Sequence, residues 1–452
     1  MARRFKTVDY EKALDMTVTL RECLPPDHLA RFIVGILALL DLSPIYARYA
    51  AYGGEAIAPE ILLGLLFYGY ATGVFSSRKI ETATHESIPF RFIAGGLHPD
   101  HDTIAHFRKT FLAEIKGLFV QVLLVAREMG ELSLGNISLD GSKIHADASK
   151  SQAVSHKRLL ELEAQLGREV DELLARGEQA DQNPLPTGLD IATEVALRRE
   201  RLANLAQAKA VLEARAEERY QAEKAEYEAK LREREEKAQQ TGRKPRGRAP
   251  VPPTLGPRDG DQYNFTDPDS RIMKNSTNKG FDQHYNTQVA VDQDSLLIVA
   301  NTLSNHPNDQ AEAIPTVEAI APEVGQPKAA ALDNGYLSAA NITALEARGI
   351  DPYIATGREP HHQSWQARFA EQPAPPPDSA SPTVKMAYKL QTEIGKLIYG
   401  LRKCTVEPVI GIIKEVLGFR QFSLRGLAAV AGEWCLVCLA FNLKRLHVLH
   451  TG

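Results

Sequence analysis

Three acidic residues stand in settings suited to gripping cations. Asp140 in ISLDGSKIHADAS and Asp333 in AALDNGYLS each close a short apolar run that reads as a buried strand, and Gly or Asn-Gly follows at once. Glu407, in YGLRKCTVEPVIGIIKEVLG, lies in a segment of helical spacing among Arg402, Lys403 and Lys414. Carboxylates from two strand ends and a helix suit a pair of hard divalent cations, because Mg²⁺ prefers one or two carboxylates together with phosphate oxygens. The chemistry implied is phosphoryl transfer on nucleic acid, with Asp140 bridging two Mg²⁺ or Mn²⁺ ions and Asp333 and Glu407 each completing one. Each residue alone also has an ordinary reading. An Asp before Gly is commonly a turn residue, and Glu407 ahead of Pro408 suits a first helical turn, where the macrodipole favours an acid.

The elements that must position these acids follow from periodicity. Residues 24–130 are densely apolar with aliphatic residues three and four apart, as in LARFIVGILALLDL and PEILLGLLFYGYATG, which predicts helices. Pro25-Pro26-Asp27 and Ala58-Pro59-Glu60 supply helix starts and Gly53-Gly54 and Gly95-Gly96 supply breaks. Within this region, residues 76–110 read as two short helices around a turn: either a DNA reader with Arg78, Lys79, Arg108 and Lys109 on its exposed side, or part of a plain helical bundle. From 136 to 148 the period changes to that of a strand presenting Asp140 and ended by Gly141. Residues 150–240 are charged and helical, with eleven basic and twelve acidic residues between 189 and 238. They predict an antiparallel hairpin through NPLPTG laced by salt bridges, followed by a basic Pro-rich linker with four Lys/Arg between 243 and 248. HYNTQVAVDQDSLLIVANTLS predicts a β-hairpin, KAAALD and Ile350–Thr356 further strands, residues 361–383 a Pro-rich loop, and the chain from Val384 is mostly helical.

Strand, long interruption, hairpin, strand, strand, helix is the order of a ribonuclease-H-like mixed sheet. The fold expected is therefore α/β: such a sheet in a catalytic domain over 135–149 and 261–452, an all-helical N-terminal DNA-binding domain over 1–134, and a charged helical-hairpin insertion with its linker over 150–260. The first and fourth strands of that topology are neighbours, which would bring Asp140 to Asp333. The long insertion is tolerable because loop-closure cost grows only logarithmically.

Bulk properties agree with a folded chain of two or three domains: 452 residues, 44% hydrophobic and 24% charged. The net charge of −4 conceals an asymmetry, for residues 384–452 carry ten Lys/Arg against four Asp/Glu. The end bearing Glu407 is thus where a polyanion would approach. Four cysteines are too few and too scattered for a disulfide framework, and Cys435 and Cys438 share one helix face, which favours a core over a zinc site. MARRFKTVDYEKAL lacks the apolar core of a signal peptide and no apolar run reaches about 18 residues. A cytoplasmic, nucleoid-associated protein without a membrane partner is expected.

The chain resembles the DDE transposases of bacterial insertion sequences, in the branch with a Tyr-Arg-Glu-Lys motif around the last acid. The resemblance is carried by DHLARFIVGILALLDLSPIYARY, LLFYGYATGVFSSRKIE, PDHDTIAHFR, LDGSKIHADASK, TDPDSRIMKN, YNTQVAVD, LDNGYLSAANI, YGLRKCTVEPVIGIIKEVLGFRQFSLRG and LAFNLKRL. It implies that Asp140, Asp333 and Glu407 are the metal-binding triad, that Tyr399, Arg402 and Lys414 shape the site and hold element-end DNA, and that a homodimer brings two element ends together before transfer to target DNA. In the family's motif three residues separate Arg from Glu; here four lie between Arg402 and Glu407, and Lys403 has that spacing instead. Either cation is open to the Arg role. A DNA-binding relic without catalysis and a metal-dependent nuclease without joining are the alternative functions.

Overall fold

In a computed structural model of the chain, Asp140 lies within a strand and not at its end: β1 runs from Asn136 to His145, straight through Gly141. This corrects the expectation that Gly141 closes the strand. The cause is β5 (Phe281–Asp292), which stays beside β1. Gln293 N–H donates to the Asn136 carbonyl, and the Thr287 hydroxyl donates to the Ser142 carbonyl, so partner numbers fall as β1 advances and the two strands are antiparallel. On its other side β1 pairs in parallel with β7 (Ala329–Leu332), over Asn136–Ser138 alone.

The structure describes residues 19–49, 56–179, 186–241, 249–275, 280–357 and 374–452. Gly53-Gly54, the 243–248 basic run, part of NPLPTG and most of the 361–383 loop lie outside them. Two units emerge, one of Met1–Ile144 with Tyr285–Gly452, the other of His145–His284. The front helices therefore group with the sheet, and residues 261–284, expected with the sheet, group with the insertion.

In the first unit the strand order is β6–β5–β1–β7–β8, with β6 (Ile298–Ser304) antiparallel to β5 and β8 (Asp351–Ile354) parallel to β7. Counted along this unit, the order is third, second, first, fourth, fifth. The β5–β6 turn is fixed by Asp292, whose carboxylate accepts from the Ser295 N–H and hydroxyl at 2.9 and 2.7 Å. β5 does not alternate between core and solvent as its sequence suggests. Asn286 and Gln288 are as buried as Val289 and Val291, because both faces of the strand are covered.

Among the described residues, seven helices precede β1: α1 (Leu29–Leu37), α2 (Ser43–Tyr46), α3 (Pro59–Ala71), α4 (Ser77–Glu86), α5 (Ile88–Ile93), α6 (His101–Thr110) and α7 (Leu112–Glu128). Pro59 opens α3 as expected, whereas α1 starts beyond the Pro pair with His28 as its cap. Residues 76–110 make three helices and not two. Short α10 (Ala313–Glu318) and α11 (Ala339–Ala347) flank β7, and α12 (Pro382–Lys389), α13 (Glu393–Gly411) and α14 (Leu427–Thr451) end the chain. α13 packs on β7 and β8, and α14 on β6, α3 and α7. Asn442 of α14 serves both backbone groups of Ile298, accepting from its N–H and donating to its carbonyl at 2.8 Å each. By length and composition α14 could cross a membrane, but Cys435–Leu443 are buried throughout against protein. That covering accounts for its hydropathy as a core helix, and for Cys435 and Cys438 as core residues.

In the second unit α8 (His156–Glu178) and α9 (Ile191–Thr241) lie antiparallel, tied by Arg198 to Glu169 at 2.7 Å and Lys209 to Glu163 at 3.1 Å. Leu159, Leu166, Leu205 and Leu212 form their seam, closed by Val154 and Tyr263 of the small antiparallel pair β2 (Ala153–Ser155) and β3 (Gln262–Asn264). β4 (Arg271–Lys274) pairs with Phe281–His284.

Candidate active site

The β1–β7 register has a constant offset of 193 residues, from Asn136 with Ala329 to Ser138 with Ala331. Carried on by two residues, it sets Asp140 level with Asp333. Both then fall on one face, since strand side chains alternate with period two. Asp333 also caps the short turn Asn334–Tyr336, its carboxylate accepting from the Gly335 N–H at 2.7 Å. The turn reading is thus borne out for this residue, and its carboxylate stands at the β7 end beside β1.

α13 brings the third acid. Arg402 donates to Asp140 at 2.8 Å and to Glu407 at 2.9 Å. Its side chain is 8% exposed, against 18% for Asp140 and 48% for Glu407. Arg402 is therefore the cation these two acids share. Glu407 lies five residues on, about 140° around the helix, a gap the long guanidinium spans. Lys403, one step of about 100° away, is exposed. Below the acids, the Thr405 hydroxyl donates to Ser138 Oγ at 2.8 Å, and Gln293 Nε2 donates to the same oxygen at 3.0 Å and to the Ile398 carbonyl at 3.2 Å. Ser138 precedes Asp140 by two residues and Thr405 precedes Glu407 by two, so this buried pair fixes α13 on β1 beside the acids. A π-helical turn, Ile412–Val416, follows α13. From it Lys414 Nζ reaches Ser142 Oγ at 3.0 Å and the Lys143 carbonyl at 3.4 Å. Tyr399 is half-buried on α13, and its hydroxyl bears on the charge of Arg402.

Negative charge exceeds positive here. Burial, with Asp333 and Glu407 adding repulsion, pushes the Asp140 carboxyl up to about 7 despite Arg402 and the Gly141 N–H. Asp333 is raised as well, first by burial and then by Asp309 and Glu407, against the Gly335 N–H and Arg402. Burial works to lower Arg402, yet the surrounding acids hold it above its ordinary value. Burial lowers Lys414. An all-carboxylate donor set of surplus charge suits a hard divalent cation. As the side chains stand, no three His, Cys, Asp or Glu residues among those described close around a common metal position.

Arg108, expected on an exposed DNA-reading face, is buried. It donates to the Tyr70 hydroxyl at 2.7 Å and lies 3.8 Å from Glu433, which is wholly buried. Arg78 and Lys79 are exposed on α4 as expected.

The sequence reading missed Asp309, in the loop between β6 and α10. Its Oδ1 accepts from Asn286 Nδ2 at 2.7 Å and Gln288 Nε2 at 2.8 Å, and Gln288 Oε1 accepts from the Tyr336 hydroxyl. A signal existed: Asn286 and Gln288 are amide side chains two residues apart, and so on one face, just ahead of the apolar run Val289–Val291.

Residues 18–110 match the family model described as Transposase domain (DUF772), and residues 376–447 match the one described as Transposase DDE domain. No curated protein and no solved structure matches the chain. The second match spans Tyr399, Arg402, Glu407 and Lys414, the α13 side of the acidic corner, and the first spans most of the front helices. Both matches are to transposase domains, and together they support an insertion-sequence transposase of the DDE kind.

Proposed function

We propose that the chain binds the terminal inverted repeats of an insertion sequence as double-stranded DNA, hydrolyses a phosphodiester bond at each end, and transfers the freed 3′-hydroxyl to target DNA. The observation that carries this is the convergence of Asp140, level with Asp333 by strand register, with Glu407 through the shared Arg402. The third-second-first-fourth-fifth strand order supports a ribonuclease-H-like reading of the catalytic sheet. Asp140, Asp333 and Glu407 are the residues that would hold two Mg²⁺ or Mn²⁺ ions. Such ions supply the charge that polarises the scissile phosphate and lowers the proton affinity of the attacking water or 3′-hydroxyl. Arg402 orients Asp140 and Glu407. Tyr399, Lys403 and Lys414 line the approach of the DNA backbone, within the Tyr-Arg-Glu-Lys branch, and Arg78 and Lys79 offer phosphate contacts from the front helices. Two element ends call for a homodimer on DNA, acting in the cytoplasm at the nucleoid.

Asp140→Ala tests the reading. Nicking of element-end DNA in Mg²⁺ or Mn²⁺ is expected in the parent and is lost in the variant, with an unchanged urea midpoint. A variant that nicks as well as the parent refutes it. Joining of a labelled end to a plasmid separates a transposase from a nuclease that only hydrolyses.

A further inference from the structure

We propose that Asp309, Gln288 and Tyr336 form a relay of positioning residues that fixes Asp333 in the acidic corner, an inference resting on the two-cation reading of that corner. Its logic is the polarity of the hydrogen bonds. A carboxylate only accepts, so Asp309 obliges Gln288 to turn its amide nitrogen toward Oδ1, at 2.8 Å. Asn286 reinforces this choice, donating to the same oxygen at 2.7 Å while its own carbonyl oxygen accepts from Gln288 Nε2 at 3.2 Å. With both neighbours acceptors toward Nε2, the Gln288 carbonyl oxygen is left facing Tyr336, whose hydroxyl donates to it.

Tyr336 ends the turn that Asp333 caps, so the relay closes on the acid itself. Asn286, Gln288 and Tyr336 are at most 1% exposed, and Asn341 holds the Tyr336 carbonyl from the other side at 2.7 Å. The turn is thereby gripped at side chain and backbone alike. The glycine after Asp140 belongs to the same device. A Cβ on Gly141 would come within 2.8 Å of Asp309 Oδ1 and closer still to Gln288 Nε2, so the relay runs through the space that a side chain there would fill. Residues that orient a metal-binding side chain from behind typically change metal affinity by about 10–100-fold when altered.

The test is Mn²⁺ binding to the full chain without DNA, by titration calorimetry. Tyr336→Phe removes the hydroxyl alone. Asp309→Asn leaves a carbonyl oxygen but frees Gln288 to turn over. Each is expected to weaken Mn²⁺ binding at least tenfold with little change in urea midpoint, and the double variant is expected to lose no more than the weaker-binding single one. Unchanged binding in both singles, or losses that multiply in the double, overturns the relay. Should Asp309→Asn fail to fold, Gln288→Glu, which places two acceptors where the relay needs one donor, gives the same reading. A parent that binds no Mn²⁺ removes the two-cation reading and the relay with it; a parent that binds beside unaffected variants removes the relay alone.

Discussion

At the scale of single residues, the unusual spacing between Arg402 and Glu407 resolves into a choice between neighbours. A helix sends adjacent side chains about 100° apart, so Arg402 and Lys403 cannot both face β1. The buried one reaches Asp140 and Glu407, and the other is exposed. Guanidinium suits this place because its planar fork serves two carboxylates at once, which a Lys ammonium does not match geometrically. Arg402→Ala is therefore expected to reduce metal-dependent nicking by roughly 10–100-fold, the rate equivalent of losing about 1.5–3 kcal/mol of charged hydrogen bonding. Lys403→Ala is expected to change nicking at saturating DNA less than threefold and to act on DNA affinity, with a shallower salt dependence. Equal losses of turnover in the two variants would return the Arg role to Lys403.

Secondary-structure elements explain why some of this was readable in the sequence and some was not. Period two around Ile137 and Leu139, and the apolar run before Asp333, give the strands, whose parallel pairing brings the two acids near each other. The end of β1 was misjudged because Gly141 resembles a strand breaker. What it does instead depends on Gln288 and Asp309, 147 and 168 residues further along, which no local pattern reveals. Likewise Arg108 has the look of a surface cation on α6, and only the partner on α14, 325 residues away, shows it as buried. Gly141→Ala is expected to destabilise the protein by about 1–3 kcal/mol, as overpacking does, and to reduce nicking. Gly400→Ala is the matched control: this exposed position within α13 has open space at its Cβ, so the change is expected to stabilise by roughly 0.5–1 kcal/mol. Urea midpoints moving the same way for both would contradict the assignment of Gly141.

For the molecule as a whole, the sheet-bearing unit is drawn together from both ends of the chain. Glu433 on α14 is wholly buried, yet its oxygens are well supplied. The N–H groups of Ser423 and Leu424 donate to Oε2 at 2.9 and 3.0 Å, while the Ser423 hydroxyl and, at 3.2 Å, the Tyr70 hydroxyl donate to Oε1. Arg108 completes the cluster from α6. Front helices α3 and α6 are thus joined to the helix that backs β6, and the loop leading out of the Lys414 turn is tied down by the same carboxylate. Such a cluster gives direction to packing that apolar side chains alone would leave loose, but charge burial makes its net stabilisation small. Breaking it from one side is another matter. Glu433→Ala leaves Arg108 buried without its counter-charge and is expected to cost about 3–5 kcal/mol, read by urea unfolding. Arg108→Leu together with Glu433→Leu removes both charges, and most of that loss is expected to be recovered. A double variant as unstable as Glu433→Ala would mean that the cluster contributes through the Ser423 and Leu424 backbone contacts, and that the link between the front helices and α14 is apolar packing alone.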